Sequence, residues 1–210
     1  MKKFQRLTMP MGMVGAIFYL CHTFIGQLLW PEYNPITTDI SSLTAVGAPN
    51  RNLLIIFTII YGVATILFVI GMISISFYKY QSAVRTGWII FLVMNVVSIF
   101  GYSLFPLSGD KAQITFNNMV HLAVTVIVVF TTITAGFVLA VGYIKQEKMK
   151  CLGTFVLVMA IIITITGLFN PIGIANDWNI MGLTERAVIY SLQLLIFVIS
   201  AYYTFTKGKK

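Results

Sequence analysis

The side chains best suited to chemistry in this chain are two histidines, the adjacent pair Glu185–Arg186, and Asp39 in a Ser- and Thr-rich stretch. His121 can exchange a proton near neutral pH, because imidazole titrates there. Asp39 and Glu185 can serve as acid or base. Arg186 carries a planar fork of donors that suits an anionic group. Asn50, Tyr102 and Ser42 can complete such a site with hydrogen bonds. The expected catalytic set is therefore His121, Asp39 and Glu185, with Arg186, Asn50, Tyr102 and Ser42 as binding residues.

The same residues also have local structural readings. Residues 37–50 read as a short capped helix, with Asp39 at the N-cap, Gly47 as the left-handed residue that ends it, and Pro49 as the stop. Asn50 can then cap the span that follows. Thr184 can cap the last span, with Glu185 favourable at the positive helix end. A cation is disfavoured there, so Arg186 is expected to pair with Asp39, Asp110 or Glu185, or to hold an anion. His22 and His121 could ligate a haem or, with Asp39, a zinc ion. Two histidines are too few to specify either site, and neither a metal nor a cofactor is expected. Cys21 lies within the first apolar run and Cys151 at the start of the fifth, so no disulfide is expected. Walker and nucleophile-elbow motifs are absent.

Membrane helices must position these groups. Of the 210 residues, 58% are hydrophobic and 10% charged, and the mean hydropathy is +0.90. A soluble domain carries about 25% charged residues. Apolar runs at 10–30, 52–78, 87–106, 117–143, 152–170 and 184–206 are long enough to span a bilayer as helices. The expected fold is an all-α bundle of six transmembrane helices, one integral membrane domain over residues 1–210. A nucleic-acid enzyme, a disulfide-stapled secreted domain and a disordered tail are excluded. The basic start, Met1 to Arg6, looks like that of a signal peptide. The run after it is long enough to span and no small-x-small site follows, so it is expected to remain as the first helix.

The formal charge of +8 is distributed unevenly. Lys2, Lys3, Arg6, Lys79, Arg85, Lys145, Lys148, Lys150, Lys207, Lys209 and Lys210 fall on one side of the six spans, and only Arg51, Lys111 and Arg186 on the other. The positive-inside rule then places both termini in the cytoplasm. Polar residues recur at helical spacing in Thr58/Tyr61/Thr65, Asn95/Ser98/Tyr102, Asn118/His121/Thr125 and Arg186/Tyr190/Gln193, so each set shares a helix face. Nearly all fall in the outer half of their span. Interhelical hydrogen bonding accounts for the Ser and Thr positions. His121, Glu185 and Arg186 suggest instead a polar recess open to the outside and closed toward the cytoplasm. A weak repeat pairs residues 104–109 with 168–173.

Three motifs in order resemble a known family. Asp39-Ile-Ser-Ser-Leu-Thr-Ala-Val-Gly-Ala-Pro-Asn50, Phe105-Pro106 followed by Gly109 and His121, and Gly182-Leu-Thr-Glu-Arg186 are similar to signatures of the bacterial domain-of-unknown-function 998 family. Thr44 stands where that family usually has Gly, and Leu107 to Asp110 where an acidic stretch follows Phe-Pro. The resemblance implies a six-helix membrane protein and no established reaction.

The function expected from these residues is recognition, or modification, of a lipid headgroup or other anionic envelope compound at the outer leaflet of a bacterial plasma membrane. Arg186 would hold the anion and His121 would exchange a proton. A small-molecule permease is the second reading, and a non-catalytic accessory or immunity protein the third. The expected partners are the lipid bilayer and a small ligand, not nucleic acid.

Overall fold

A computed structural model describes residues 2–108 and 114–206. Asp110, expected as a partner for Arg186, lies outside them, as do Lys111 and the basic residues from Lys207 onward. The helices are α1 (Lys2–Thr8), α2 (Met11–Leu28), α3 (Arg51–Lys79), α4 (Ser82–Leu104), α5 (Phe116–Ile144), α6 (Lys150–Ala175) and α7 (Met181–Phe205). Short 3-10 helices cover Ile40–Thr44 and Glu147–Met149. Six helices are long and apolar enough to cross a membrane, the first of them α1 and α2 taken together. The described residues contain no strand, only an isolated bridge between Val46 and Ser108. The chain is a multi-pass membrane protein.

Each long helix packs on its neighbour in sequence, and α7 packs back on α2, which closes the ring. Pro10 separates α1 from α2, since it has no N–H to continue the ladder. Ser200 of α7 repairs the break: its hydroxyl donates to the Met9 carbonyl at 2.5 Å and accepts the Met13 N–H at 2.9 Å.

Several boundaries depart from expectation. The break expected over 79–86 is only Tyr80–Gln81, because Ser82 to Arg85 already form the first turn of α4, with Val84 buried in the core. Helix α6 runs through Pro171 to Ala175, five residues beyond the expected end. The ladder resumes after the proline, with the Asn176 N–H on the Ile172 carbonyl at 3.1 Å. Helix α7 starts at Met181, not 184, so Thr184 lies inside the first turn and its hydroxyl returns to the Ile180 and Met181 carbonyls. The 104–109 and 168–173 stretches also differ: α4 stops at Leu104, while α6 stays helical through the matching residues.

The interior divides along the helix axes. At the end where α3 meets α4 and α5 meets α6, here called the basic end after Lys79, Arg85, Lys145, Lys148 and Lys150, the buried side chains are Phe68, Val69, Met72, Trp88, Leu139, Tyr143 and Ile199. At the other end, the loop joining α2 to α3 folds over the bundle as a lid.

Candidate functional site

The lid begins with a turn in which the Tyr33 N–H meets the Trp30 carbonyl at 3.0 Å. Asn34 then shapes the next turn, its side-chain oxygen accepting the Ile36 N–H at 2.9 Å. The 3-10 helix Ile40–Thr44 follows. Gly47, at φ +86°, takes the left-handed conformation that reverses the chain. Leu43 is fully buried and seats where α2 presents Gly26; a Cβ on Gly26 would come within 2.9 Å of it. The lid edge is fixed by the Val46 N–H on the Leu107 carbonyl at 2.8 Å. Asn118 of α5 holds that partner strand: it accepts the Ser108 N–H at 3.0 Å and donates to the Ser108 carbonyl at 3.1 Å.

Helix α7 is the anchor. Gly182 lies so close under the lid that a Cβ there would be 2.3 Å from the Thr38 carbonyl oxygen and 2.6 Å from that of Pro35. The Leu183 N–H donates to the Ile36 carbonyl at 2.9 Å. The Glu185 carboxylate accepts the Ile40 N–H at 2.9 Å, which caps the 3-10 helix from 145 residues away. Asp39 occupies the N-cap position as expected, but its carboxylate takes the Ser42 hydroxyl.

Arg186 is buried, with 7% of its surface exposed. Nη1 donates to the Thr38 carbonyl at 3.0 Å and to the Gly182 carbonyl at 2.9 Å. Nη2 donates to the Tyr33 hydroxyl at 2.5 Å. The Gln27 amide oxygen, oriented toward these donors, accepts from Nε and Nη2 at 3.3 Å each. All five guanidinium N–H groups are thereby engaged. Among the described residues these partners are neutral oxygens, not the acids anticipated for Arg186. The guanidinium also lies over the Tyr33 ring, 5.3 Å from its centre. Burial pushes the Tyr33 phenol up to about 12; Arg186 opposes the shift, and Glu185 and Asp39 add to it.

The expected site residues therefore fall into groups. Asp39, Ser42, Glu185 and Arg186 meet at the underside of the lid. Asn50 stands at its base: it has the left-handed conformation at the N-cap of α3, and its amide closes the loop onto the Leu29 carbonyl at 3.2 Å instead of capping the helix. His121 sits apart with Tyr102, ring centres 4.7 Å apart. Its Nδ1 lies 2.9 Å from the Phe105 carbonyl oxygen, an acceptor only, so Nδ1 carries a proton. The Tyr102 hydroxyl donates to Thr125 at 3.1 Å. Among the described residues, no three His, Cys, Asp or Glu side chains gather as metal ligands.

Tyr33 and Gln27 are the partners that residue type alone did not single out. Tyr33 reads as an interface anchor and Gln27 as one more polar residue in a span. Only the position of Arg186, a cation at a helix N-terminus, signals that such acceptors are needed.

A family model described as "Protein of unknown function (DUF998)" matches residues 13–202. No curated protein and no solved structure matches the chain.

Proposed function

The chain belongs to the DUF998 family, and from that premise we propose that it is a lidded receptor for an anionic headgroup at the outer leaflet of a bacterial plasma membrane. The uneven Lys and Arg distribution supports an orientation with both termini cytoplasmic and the lid outside.

One observation carries this reading: Arg186 is a buried cation whose contacts are neutral oxygens of the lid and its supports. A charge-assisted bond to an anion is stronger than one to a carbonyl. An anionic headgroup therefore competes with Thr38 and Tyr33 for the same donors. Ligand binding and lid release become one event. Release also frees the Ile40 N–H from Glu185, and His121, packed on Tyr102, is the group able to exchange a proton. Asp39 and Ser42 keep the 3-10 helix intact while it moves, and Asn50 is the hinge.

The test is hydrogen exchange on the purified chain in phosphatidylcholine nanodiscs, with and without phosphatidic acid. Phosphatidic acid is expected to speed exchange at the Ile40 and Leu183 amides. Arg186→Gln is expected to exchange fast in either bilayer, and His121→Ala to leave lid release unchanged. An unaltered exchange pattern in phosphatidic acid, or a wild-type response from Arg186→Gln, sinks the proposal.

A further inference from the structure

Beneath the lid, a second set of polar side chains has no role in the contacts described so far. His22, Thr65 and Gln193 are at most 2% exposed. Among the described residues, both ring nitrogens of His22, the Thr65 hydroxyl and the Gln193 side-chain oxygen have no hydrogen-bond partner. These atoms belong to α2, α3 and α7, and tyrosine rings connect them. Tyr19 meets His22 edge-on at 5.6 Å and Tyr61 edge-on at 4.7 Å. The Tyr61 hydroxyl is 3.5 Å from the Gln193 amide nitrogen. Thr65, one turn on from Tyr61, points at α2, where a Cβ on Gly15 would come within 2.6 Å of its hydroxyl. The group lies about two helical turns below the lid on α2.

Leaving a buried polar atom unpaired costs about 1–3 kcal/mol. Three buried side chains that bear this cost, linked through the Tyr19 and Tyr61 rings, fit a site whose ligand supplies the partners. The chemistry of the site narrows the ligand. A neutral imidazole offers one donor and one acceptor, the Thr65 hydroxyl one donor and two acceptor lone pairs, and Gln193 an acceptor. His22, Thr65, Gln193, Tyr19 and Tyr61 bring no fixed charge. An anion would find no cation among them to pair with. A bare cation would meet as many donors as acceptors.

We infer that His22, Thr65, Gln193 and Tyr61 form a deep binding site for a neutral, hydroxyl-bearing group, such as the head of a glycosyl or polyol lipid. Each hydroxyl of such a group both donates and accepts, which matches the mixed set. The Tyr19 and Tyr61 rings supply the apolar wall that the carbon face of a sugar or polyol needs. The inference does not depend on the lid release proposed above, since Arg186 touches none of these four residues.

The experiment is thermal unfolding in phosphatidylcholine nanodiscs, run plain, with monoglucosyl diacylglycerol, with free methyl glucoside, and with phosphatidic acid. The glucosyl lipid is expected to raise the wild-type midpoint by about 3 °C or more. The doubly substituted Thr65→Val, Gln193→Leu protein is expected to fold at least as well as wild type and to show no such rise. Should it fold poorly, His22→Phe serves in its place. Arg186→Gln keeps the response, which separates this site from the lid. An equal rise with methyl glucoside supports the site and assigns it to a free saccharide. The inference falls if no hydroxyl-bearing probe shifts the wild type, if the substituted proteins shift equally, if only phosphatidic acid acts, or if a structure determined with the glucosyl lipid shows ordered water only on these atoms.

Discussion

At the basic end of the bundle, Trp88 packs edge-on against Phe68 at 5.6 Å and against Phe91 at 5.7 Å. Its indole N–H donates to the Tyr143 hydroxyl at 3.0 Å, and the Tyr203 hydroxyl lies 2.7 Å from that of Tyr80 and 3.3 Å from that of Tyr143. At the lid end, by contrast, a loop is held on α7 by backbone carbonyls, one carboxylate and one guanidinium. Opening the first end would expose large apolar side chains, Phe68, Val69, Met72, Trp88 and Leu139 among them. Opening the second uncovers only the small cluster of Tyr33, Ile40, Leu43 and Leu54 and exchanges the hydrogen bonds with water or a ligand, at a net of about 0.5–1.5 kcal/mol each. The same six helices thus carry one end fixed by a large aromatic and aliphatic core and one end fixed by a small apolar cluster of Tyr33, Ile40, Leu43 and Leu54 together with replaceable polar contacts. A permease would need the packed end to open as well.

The strongest way to break this contrast is to crowd both ends alike. Gly153 of α6 faces the Ile144 nitrogen, 2.6 Å from where its Cβ would be, and Gly182 faces the Thr38 carbonyl oxygen at 2.3 Å. Gly153→Val must push one helix off another. The expected cost is about 1–3 kcal/mol or more, read as a lower unfolding midpoint for the whole bundle. Gly182→Val need displace only the lid. Its midpoint is expected to fall less, while the Ile36 to Ile40 amides exchange much faster. Equal midpoint losses with no change in lid exchange would show that the lid is part of the packed core.

A smaller effect is expected from Arg186→Lys. Lysine has three donors on one nitrogen and no fork, so it cannot serve Thr38, Gly182, Tyr33 and Gln27 together. Each buried acceptor left without a partner costs about 1–3 kcal/mol. Lid exchange should quicken nearly as much as in Arg186→Gln. Trp88→Phe at the packed end removes one hydrogen bond and keeps the aromatic contacts. It should lower the midpoint by about 1 kcal/mol equivalent and leave lid exchange unchanged. Lid exchange at the wild-type rate in Arg186→Lys would mean that charge alone, not the fork, holds the loop.

The six spans were legible because burial in lipid leaves a compositional trace in every residue. Their ends were less so. Ser82 to Arg85 are too short and mixed a stretch to read as part of an apolar run, yet they are helical, with Val84 buried in the core. Pro171 looks like a stop, but a proline near a helix end removes a single ladder bond and the chain can resume. The lid was largely illegible for a different reason. Its acceptors are the carbonyls of Ile36 and Thr38 and that of Gly182 on α7, and a backbone carbonyl carries no residue-type signal. Glu185 reads as favourable for its own helix, and nothing local says that it caps Ile40. What could be seen was Arg186, because its charge is wrong for its position. That residue proves to be where the lid is fastened, which is why the misfit was visible without its partners.

The contrast can be sharpened by titration. Burial raises the phenol of Tyr33 to about 12 from the usual 10, against the pull of Arg186. Tyr80, next to α3 at the packed end, is also raised by burial, opposed by its hydrogen bond with Tyr203. A phenol that keeps its proton longer when docked makes docking independent of pH below 10. As pH rises from 10 to 12, the undocked lid loses the proton and the docked lid does not, so docking weakens with rising pH. Tyrosinate absorbance of the wild type minus that of Tyr33→Phe should therefore give a midpoint near 12. In Gly182→Val the same difference should fall back toward 10, because the lid no longer buries the ring. The corresponding difference for Tyr80→Phe should stay raised in both backgrounds, since its burial depends on α3, α5 and α7 and not on the lid. A Tyr33 midpoint near 10 in the wild type would mean that the lid is already undocked in solution. A Tyr80 midpoint that moves with Gly182→Val would mean that the two ends are coupled.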